Sequence, residues 1–190
     1  MRCFIAIDLP PEIKAEIGRQ QAALRAASAQ ASSRGHEINW TRPEGIHVTL
    51  KFLGETDRDS QVIEALQGIG PLEKFSVEVK GFGFFPDARR PRVLWTGIEA
   101  PPALGELAGR VETAMEKLGF PPEQRPFTPH LTLARFQSRR PETRLRKLPY
   151  IMVHQSRLSL GRFEVTEFFL FESKLSPRGA EYLKVARFGT

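Results

Sequence analysis

The residues with the clearest chemical potential are two matched pairs. His47 and Thr49 lie in His47-Val48-Thr49-Leu50, and His130 and Thr132 lie in His130-Leu131-Thr132-Leu133. Both runs alternate as β-strands do, and a strand puts residues i and i+2 on one face. Each histidine therefore shares a face with its own threonine. The two histidines are 83 residues apart and so belong to different strands. A neutral imidazole accepts a proton and an imidazolium donates one, and an ordinary pKa of ~6.5 lets both forms exist near neutrality. Two histidines on opposite sides of a phosphorus can act as general base and general acid in one in-line displacement. The threonine hydroxyls can donate to non-bridging oxygens, where charge must be held in the transition state. A phosphodiester fits such a site, and neither metal nor cofactor is required.

Other chemistries find less support. Zinc normally takes three or four protein ligands, and the remaining histidines, His36 and His154, stand alone and read as surface or structural residues. No Gly-x-Ser-x-Gly elbow occurs, and no Gly-x-x-x-x-Gly-Lys-Ser/Thr phosphate loop. The single cysteine, Cys3, forbids an internal disulfide and a CxxC site. It lies in the apolar run Cys3-Phe4-Ile5-Ala6-Ile7, which predicts a buried thiol rather than a nucleophile.

The elements that must position these residues read as one plan used twice. Phe4 to Leu9 is a strand, and Pro10 and Pro11 suit the first turn of a helix. Ile13, Ile17 and Leu24 give that helix a partial apolar stripe, which fades into a loop around Ser28 to Gly35. The His47–Leu53 strand follows, then a short helix over Asp59–Leu66 and a strand over Phe75–Val79. Gly81, Gly83 and Pro86 are expected to break the run after it. The order then repeats with a strand over Arg92–Ile98, then Pro101 and Pro102. Leu104, Leu107, Val111, Met115 and Leu118 follow at helical spacing, with Gly119 as a C-terminal stop. The His130–Phe136 strand comes next, then a short helix over Pro141–Leu148. Strands at Arg157–Leu160, Phe168–Phe171 and Tyr182–Phe188 end the chain. Two repeats predict pseudo-twofold lobes with the histidine strands facing a cleft, all within one domain over residues 1–190.

Composition sets the remaining bounds. The chain has 190 residues, 41% hydrophobic and 26% charged, with a formal net charge of +6. That balance favours an anionic partner such as nucleic acid. Nothing approaches the ~20 apolar residues of a membrane span, and the short N-terminal apolar stretch is no signal peptide. A cytoplasmic monomer without membrane attachment is the default expectation.

The framing of the two motifs carries a resemblance. Arg2-Cys3-Phe4-Ile5-Ala6-Ile7-Asp8-Leu9-Pro10 opens the chain, and Trp40-Thr41-Arg42-Pro43-Glu44-Gly45-Ile46 leads into His47-Val48-Thr49-Leu50-Lys51-Phe52-Leu53-Gly54. Phe84-Phe85-Pro86 and Arg90-Pro91-Arg92-Val93-Leu94-Trp95 follow. Arg125-Pro126-Phe127-Thr128-Pro129 leads into His130-Leu131-Thr132-Leu133-Ala134-Arg135, and Phe171-Glu172-Ser173 comes near the end. In this framing the sequence resembles the two-histidine (2H) phosphoesterases, specifically the RNA 2′,3′-cyclic phosphodiesterase branch, also called 2′-5′ RNA ligase.

The resemblance implies an α+β fold, with duplicated lobes whose antiparallel sheets face a central cleft and helices outside. It implies hydrolysis of RNA 2′,3′-cyclic phosphate ends, or of small cyclic nucleotides, to 2′-phosphates. His47 would be the proton donor, His130 the proton acceptor, and Thr49 and Thr132 the holders of the phosphate oxygens. It also implies that Phe52 and Arg135, each five residues after its histidine, sandwich the terminal base, a common mode of RNA recognition. Simple alternation puts an i+5 residue on the face opposite the histidine. Either the strands twist or bulge there, or these side chains are structural. Arg139, Arg140, Arg144, Arg146 and Lys147, with the cluster Arg89, Arg90 and Arg92, could meet an RNA backbone or form solvated loops. Two alternative functions stay open: joining of RNA ends through a 2′-5′ linkage, which is the reverse reaction, and a non-catalytic RNA- or nucleotide-binding module in the same cleft.

Overall fold

The first strand, β1 (Arg2–Asp8), carries five consecutive apolar residues and is buried on both faces. Strands of that kind belong in the middle of a sheet, and β1 does have a neighbour on each side. The computed structural model describes residues 1–29, 38–88, 90–136, 157–176 and 179–189. After β1 come α1 (Pro11–Ala29), β2 (Ile38–Trp40), a single 3-10 turn at Pro43–Gly45, and β3 (His47–Glu55). Next are α2 (Asp59–Gln67), β4 (Phe75–Phe85), β5 (Val93–Glu99), α3 (Pro102–Lys117) and β6 (His130–Phe136). Three strands finish the chain: β7 (Ser159–Val165), β8 (Glu167–Ser176) and β9 (Gly179–Gly189). The expected helix over 141–148 lies outside the described residues, as do His36, His154, Arg89 and the basic residues 139–147.

The strands form two antiparallel sheets. One has the order β3-β1-β8-β9 and the other β2-β6-β5-β4-β7. The two motif strands are thus in different sheets. The four-stranded sheet holds both ends of the chain and the five-stranded sheet its middle, because β4 crosses to pair with β5 while β8 and β9 return to β1. The helices cross over in the same sense. α1 follows β1 but packs on β7 of the other sheet, and α3 follows β5 but packs on β3. Both helices open on a proline, whose fixed φ suits the first turn and whose missing N–H has no partner there anyway. Ile13, Ile17 and Leu24 of α1 and Leu104, Leu107, Val111 and Met115 of α3 are all buried in one core with the inner faces of both sheets. Gly119 follows α3 at φ +83°, the left-handed position that favours glycine. Burial pushes the pKa of the Cys3 thiol up, as suits a structural residue.

The expected break after Val79 is not present. β4 runs on through Gly81 and Gly83 to Phe85. Gly81 has φ +71° and sits at a register shift against β5, so it bulges the strand without ending it. Its carbonyl accepts a 2.7 Å hydrogen bond from the buried Thr96 hydroxyl. Gly83 serves close approach: a Cβ there would stand 2.1 Å from Cζ2 of Trp95, its cross-strand partner. The short strand β2, for which sequence periodicity gave no signal, is an edge strand paired with β6.

Candidate active site

Both histidines are held by the same local device. The Nδ1–H of His47 donates to the carbonyl of Gly45 at 2.8 Å, and the Nδ1–H of His130 donates to the carbonyl of Thr128 at 2.8 Å. A carbonyl oxygen can only accept, so Nδ1 carries the proton in each ring and Nε2 is left for chemistry. Both histidines stand at the first position of their strands, and β3 and β6 approach each other across the two sheets.

The surroundings of the two rings differ. His47 stacks on Phe4 with centroids 4.5 Å apart, has Phe171 at 6.0 Å, and meets Tyr182 edge-on at 5.2 Å. Phe4, Ala6, Phe169 and Phe171 form a small apolar cluster of their own beneath it, apart from the main core. Burial in this setting pushes the His47 pKa down to about 4, against smaller upward pulls from the Gly45 carbonyl and from Asp8. His130 instead meets Phe85 edge-on at 4.9 Å, with Trp95 at 6.5 Å. Sequence reading assigned no function to these flanking aromatics. Their signal was present, since Phe4, Phe85, Trp95 and Phe171 all lie in the segments that framed the resemblance. The indole Nε1 of Trp95 is buried and finds no hydrogen-bond acceptor among the described residues.

Phe52 and Arg135 lie on the same faces as the histidines, and the register shows why. Asp8, Ala6 and Phe4 share one face of β1, and opposite them stand His47, Thr49 and Phe52. Leu50 has no partner in this ladder, so β3 bulges there. Likewise Gly97, Trp95 and Val93 share one face of β5, opposite His130, Thr132 and Arg135, and Leu133 is the bulged residue. The burial patterns repeat the same defect. Leu50 and Lys51 are both buried and Phe52 is exposed; Leu133 and Ala134 are both buried and Arg135 is exposed. Phe52 is 68% exposed and so no core residue. Its ring lies 6.1 Å from Phe4, the ring under His47.

A groove of about 780 Å³ lies elsewhere, lined in part by Asp8, Lys14, Glu44, Glu167 and Lys184, and neither histidine lines it. Asp8 pairs with Lys14 and with Lys184, each at 2.6 Å. Among the described residues no three of His, Cys, Asp and Glu are grouped to hold a metal ion. No helix among them is long and apolar enough to cross a membrane.

Comparison with known proteins gives a consistent result. The family model of the 2′-5′ RNA ligase superfamily matches residues 9–176. The RNA 2′,3′-cyclic phosphodiesterase of Methanothermobacter thermautotrophicus is 31% identical over 188 residues, covering 96% of this chain and 95% of the relative. That of Archaeoglobus fulgidus is 32% identical over 184 residues, covering 96% of each. Among solved structures, Escherichia coli LigT complexed with 3′-AMP superposes with a TM-score of 0.74 at 25% identity, covering 99% of this chain and 97% of that one.

Proposed function

Because the chain belongs to the 2′-5′ RNA ligase superfamily of two-histidine phosphoesterases, we propose that it hydrolyses RNA 2′,3′-cyclic phosphate ends to 2′-phosphates by paired histidine acid–base catalysis. The observation that carries this reading is the duplicated site. Two histidines with the same Nδ1 anchor, each with a threonine on its face, stand on strands that approach each other from separate sheets.

In the proposed reaction Nε2 of His130 takes a proton from water as the water oxygen bonds to phosphorus. The bond from phosphorus to the ribose 3′ oxygen breaks, and Nε2–H of His47 protonates the departing oxygen. The Thr49 and Thr132 hydroxyls hold the non-bridging oxygens. The net change is addition of one water with the phosphate left on the 2′ oxygen. The sheets supply both proton-transfer groups, so the scheme has no step for a metal. The family resemblance assigns the acid and base. The site's electrostatics add a condition: with its pKa at about 4, His47 is neutral in the empty site at pH 7. An anionic phosphate beside the ring raises that pKa, so the substrate itself readies the acid. Phe52 and Arg135, exposed on the histidine faces, are the proposed contacts to the terminal base. The complex of LigT with 3′-AMP, in a relative of the same fold, supports a nucleotide as the occupant.

The test is turnover of an RNA oligonucleotide ending in a 2′,3′-cyclic phosphate, comparing the parent with His47→Ala and His130→Ala. Each variant is expected to lose at least ~100-fold in kcat, the scale of general acid–base catalysis, while still binding the oligonucleotide. Full activity in either variant would overturn the paired-histidine reading. Binding without turnover in all three proteins would favour a pure binding module.

A further inference from the structure

The two bulges that turn Phe52 and Arg135 toward the histidines are each held from behind by a helix of the other repeat. In β6 the carbonyl of the bulged Leu133 accepts from the backbone N–H of Thr41 at 2.9 Å and from Nε2 of Gln21 at 2.9 Å. Gln21 is buried on α1, and the same amide nitrogen donates to the Thr41 carbonyl at 2.8 Å. Both partners are carbonyls, so the amide orientation is fixed and both its hydrogens are committed. In β3 the residue after the bulge, Lys51, is buried, and its Nζ donates to Oε1 of Glu112 at 2.6 Å and to the Pro121 carbonyl at 2.9 Å. The same Oε1 accepts the backbone N–H of Glu123 at 2.8 Å, in the segment that leads toward His130.

Gln21 and Glu112 stand at the same spacing from the prolines that open their helices, Pro11 and Pro102. Each is a polar side chain beside the apolar inner face of its helix; Gln21 reaches the bulged Leu133 carbonyl itself, and Glu112 reaches the ammonium of Lys51, the residue next to the bulged Leu50. Gln21 is buried with both amide hydrogens committed, and Glu112, though partly exposed, accepts from both the Lys51 ammonium and the Glu123 N–H; side chains kept only for solubility would do neither. We propose that Gln21 and Glu112 are an equivalent pair of positioning residues that lock the two bulges and so aim Arg135 and Phe52 at the terminal base of the substrate. The proposal rests on the reading of Phe52 and Arg135 as base contacts.

The test compares kcat/KM for two substrates: a nucleoside 2′,3′-cyclic phosphate and the base-free 1-O-methylribose 2′,3′-cyclic phosphate. The ratio of the two values measures use of the base and is independent of how much of a sample is folded. Arg135→Ala is expected to lower the ratio about tenfold, the scale of one lost base contact. Gln21→Leu is expected to lower it by a similar factor, and the double variant no further than Arg135→Ala alone. Gln21→Met, which keeps side-chain length and removes the donor, replaces Gln21→Leu if that variant does not fold. On the other strand, Glu112→Leu is expected to lower the ratio as Phe52→Ala does, with Glu112→Gln restoring it. If Arg135→Ala lowers the ratio and the Gln21 variants leave it unchanged, or the two effects add fully, the positioning proposal fails alone. If Arg135→Ala and Phe52→Ala leave the ratio unchanged, the base-contact reading fails and the proposal with it.

Discussion

At the scale of single residues, His47 is the most informative group. Its pKa of about 4 lies below the ordinary ~6.5 because burial among Phe4, Phe171 and Tyr182 disfavours the charged ring. Between pH 6.5 and 4 the unfolded chain binds a proton at this site and the folded chain does not. Stability is therefore complete above pH 6.5 and falls as the pH drops toward 4, by up to about 3 kcal/mol. Urea unfolding of the parent and of His47→Asn across this range checks the sign: the parent's stability should fall relative to the variant's as the solution is acidified. Bound anion acts the other way. Saturating inorganic phosphate is expected to move the His47 titration midpoint upward in a histidine NMR experiment. An unmoved midpoint would leave the acid without a way to be charged at neutral pH.

At the scale of elements, the bulge is the device on which the site depends. The Lys51–Glu112 pair joins β3 to α3, and its partners are unequally buried, with side-chain exposures of 4% and 25%. Removing the better solvated partner's charge strands an ammonium in the core, so Glu112→Leu is expected to cost about 3 kcal/mol. Lys51→Met should cost less, because Glu112 keeps solvent and the Glu123 N–H, and the double variant should regain part of the loss. Chemical denaturation of the three variants checks this order. On the other sheet, Gly83→Ala would drive a Cβ into the Trp95 ring, so altered tryptophan fluorescence and a lower Tm are expected. The His/Thr pairs were legible in sequence because i and i+2 share a face whatever the strand pairs with. A twist or bulge before Phe52 and Arg135 was one of two alternatives in sequence, but its position was not legible, because Leu50-Lys51 and Leu133-Ala134 bear no local mark of a defect that only the partner strand's register defines. Gly83 was misread as a breaker because its requirement comes from Trp95, twelve residues on. Strand β2 was missed because three residues are too few to show a period.

At the scale of the whole molecule, the exchange of β4 for β8 and β9 ties the two sheets into one structure, and we propose that they fold as a single domain. Both tryptophans, Trp40 and Trp95, lie in the five-stranded sheet. Tryptophan fluorescence therefore reports on that sheet, and far-ultraviolet circular dichroism on both. The two signals are expected to show one urea midpoint; separate midpoints would mean that the sheets unfold independently. The net charge of +6, with Arg90, Arg92, Arg125 and Arg135 exposed, predicts phosphate contacts beyond the reacting end. Two or three such contacts would weaken binding of a single-stranded RNA about tenfold between 50 and 200 mM salt. A flat salt response would confine recognition to the terminal nucleotide.

If two histidines hydrolyse the cyclic ester with His47 protonating the 3′ oxygen, the product must keep its phosphate on the 2′ oxygen. An RNA oligonucleotide with a 2′,3′-cyclic phosphate end would be incubated with the protein in excess chelator and followed by phosphorus NMR. The cyclic phosphate resonance is expected to be replaced by that of a 2′-phosphate alone. A 3′-phosphate product, or turnover only after a divalent metal is restored, would overturn metal-free catalysis with His47 as the acid.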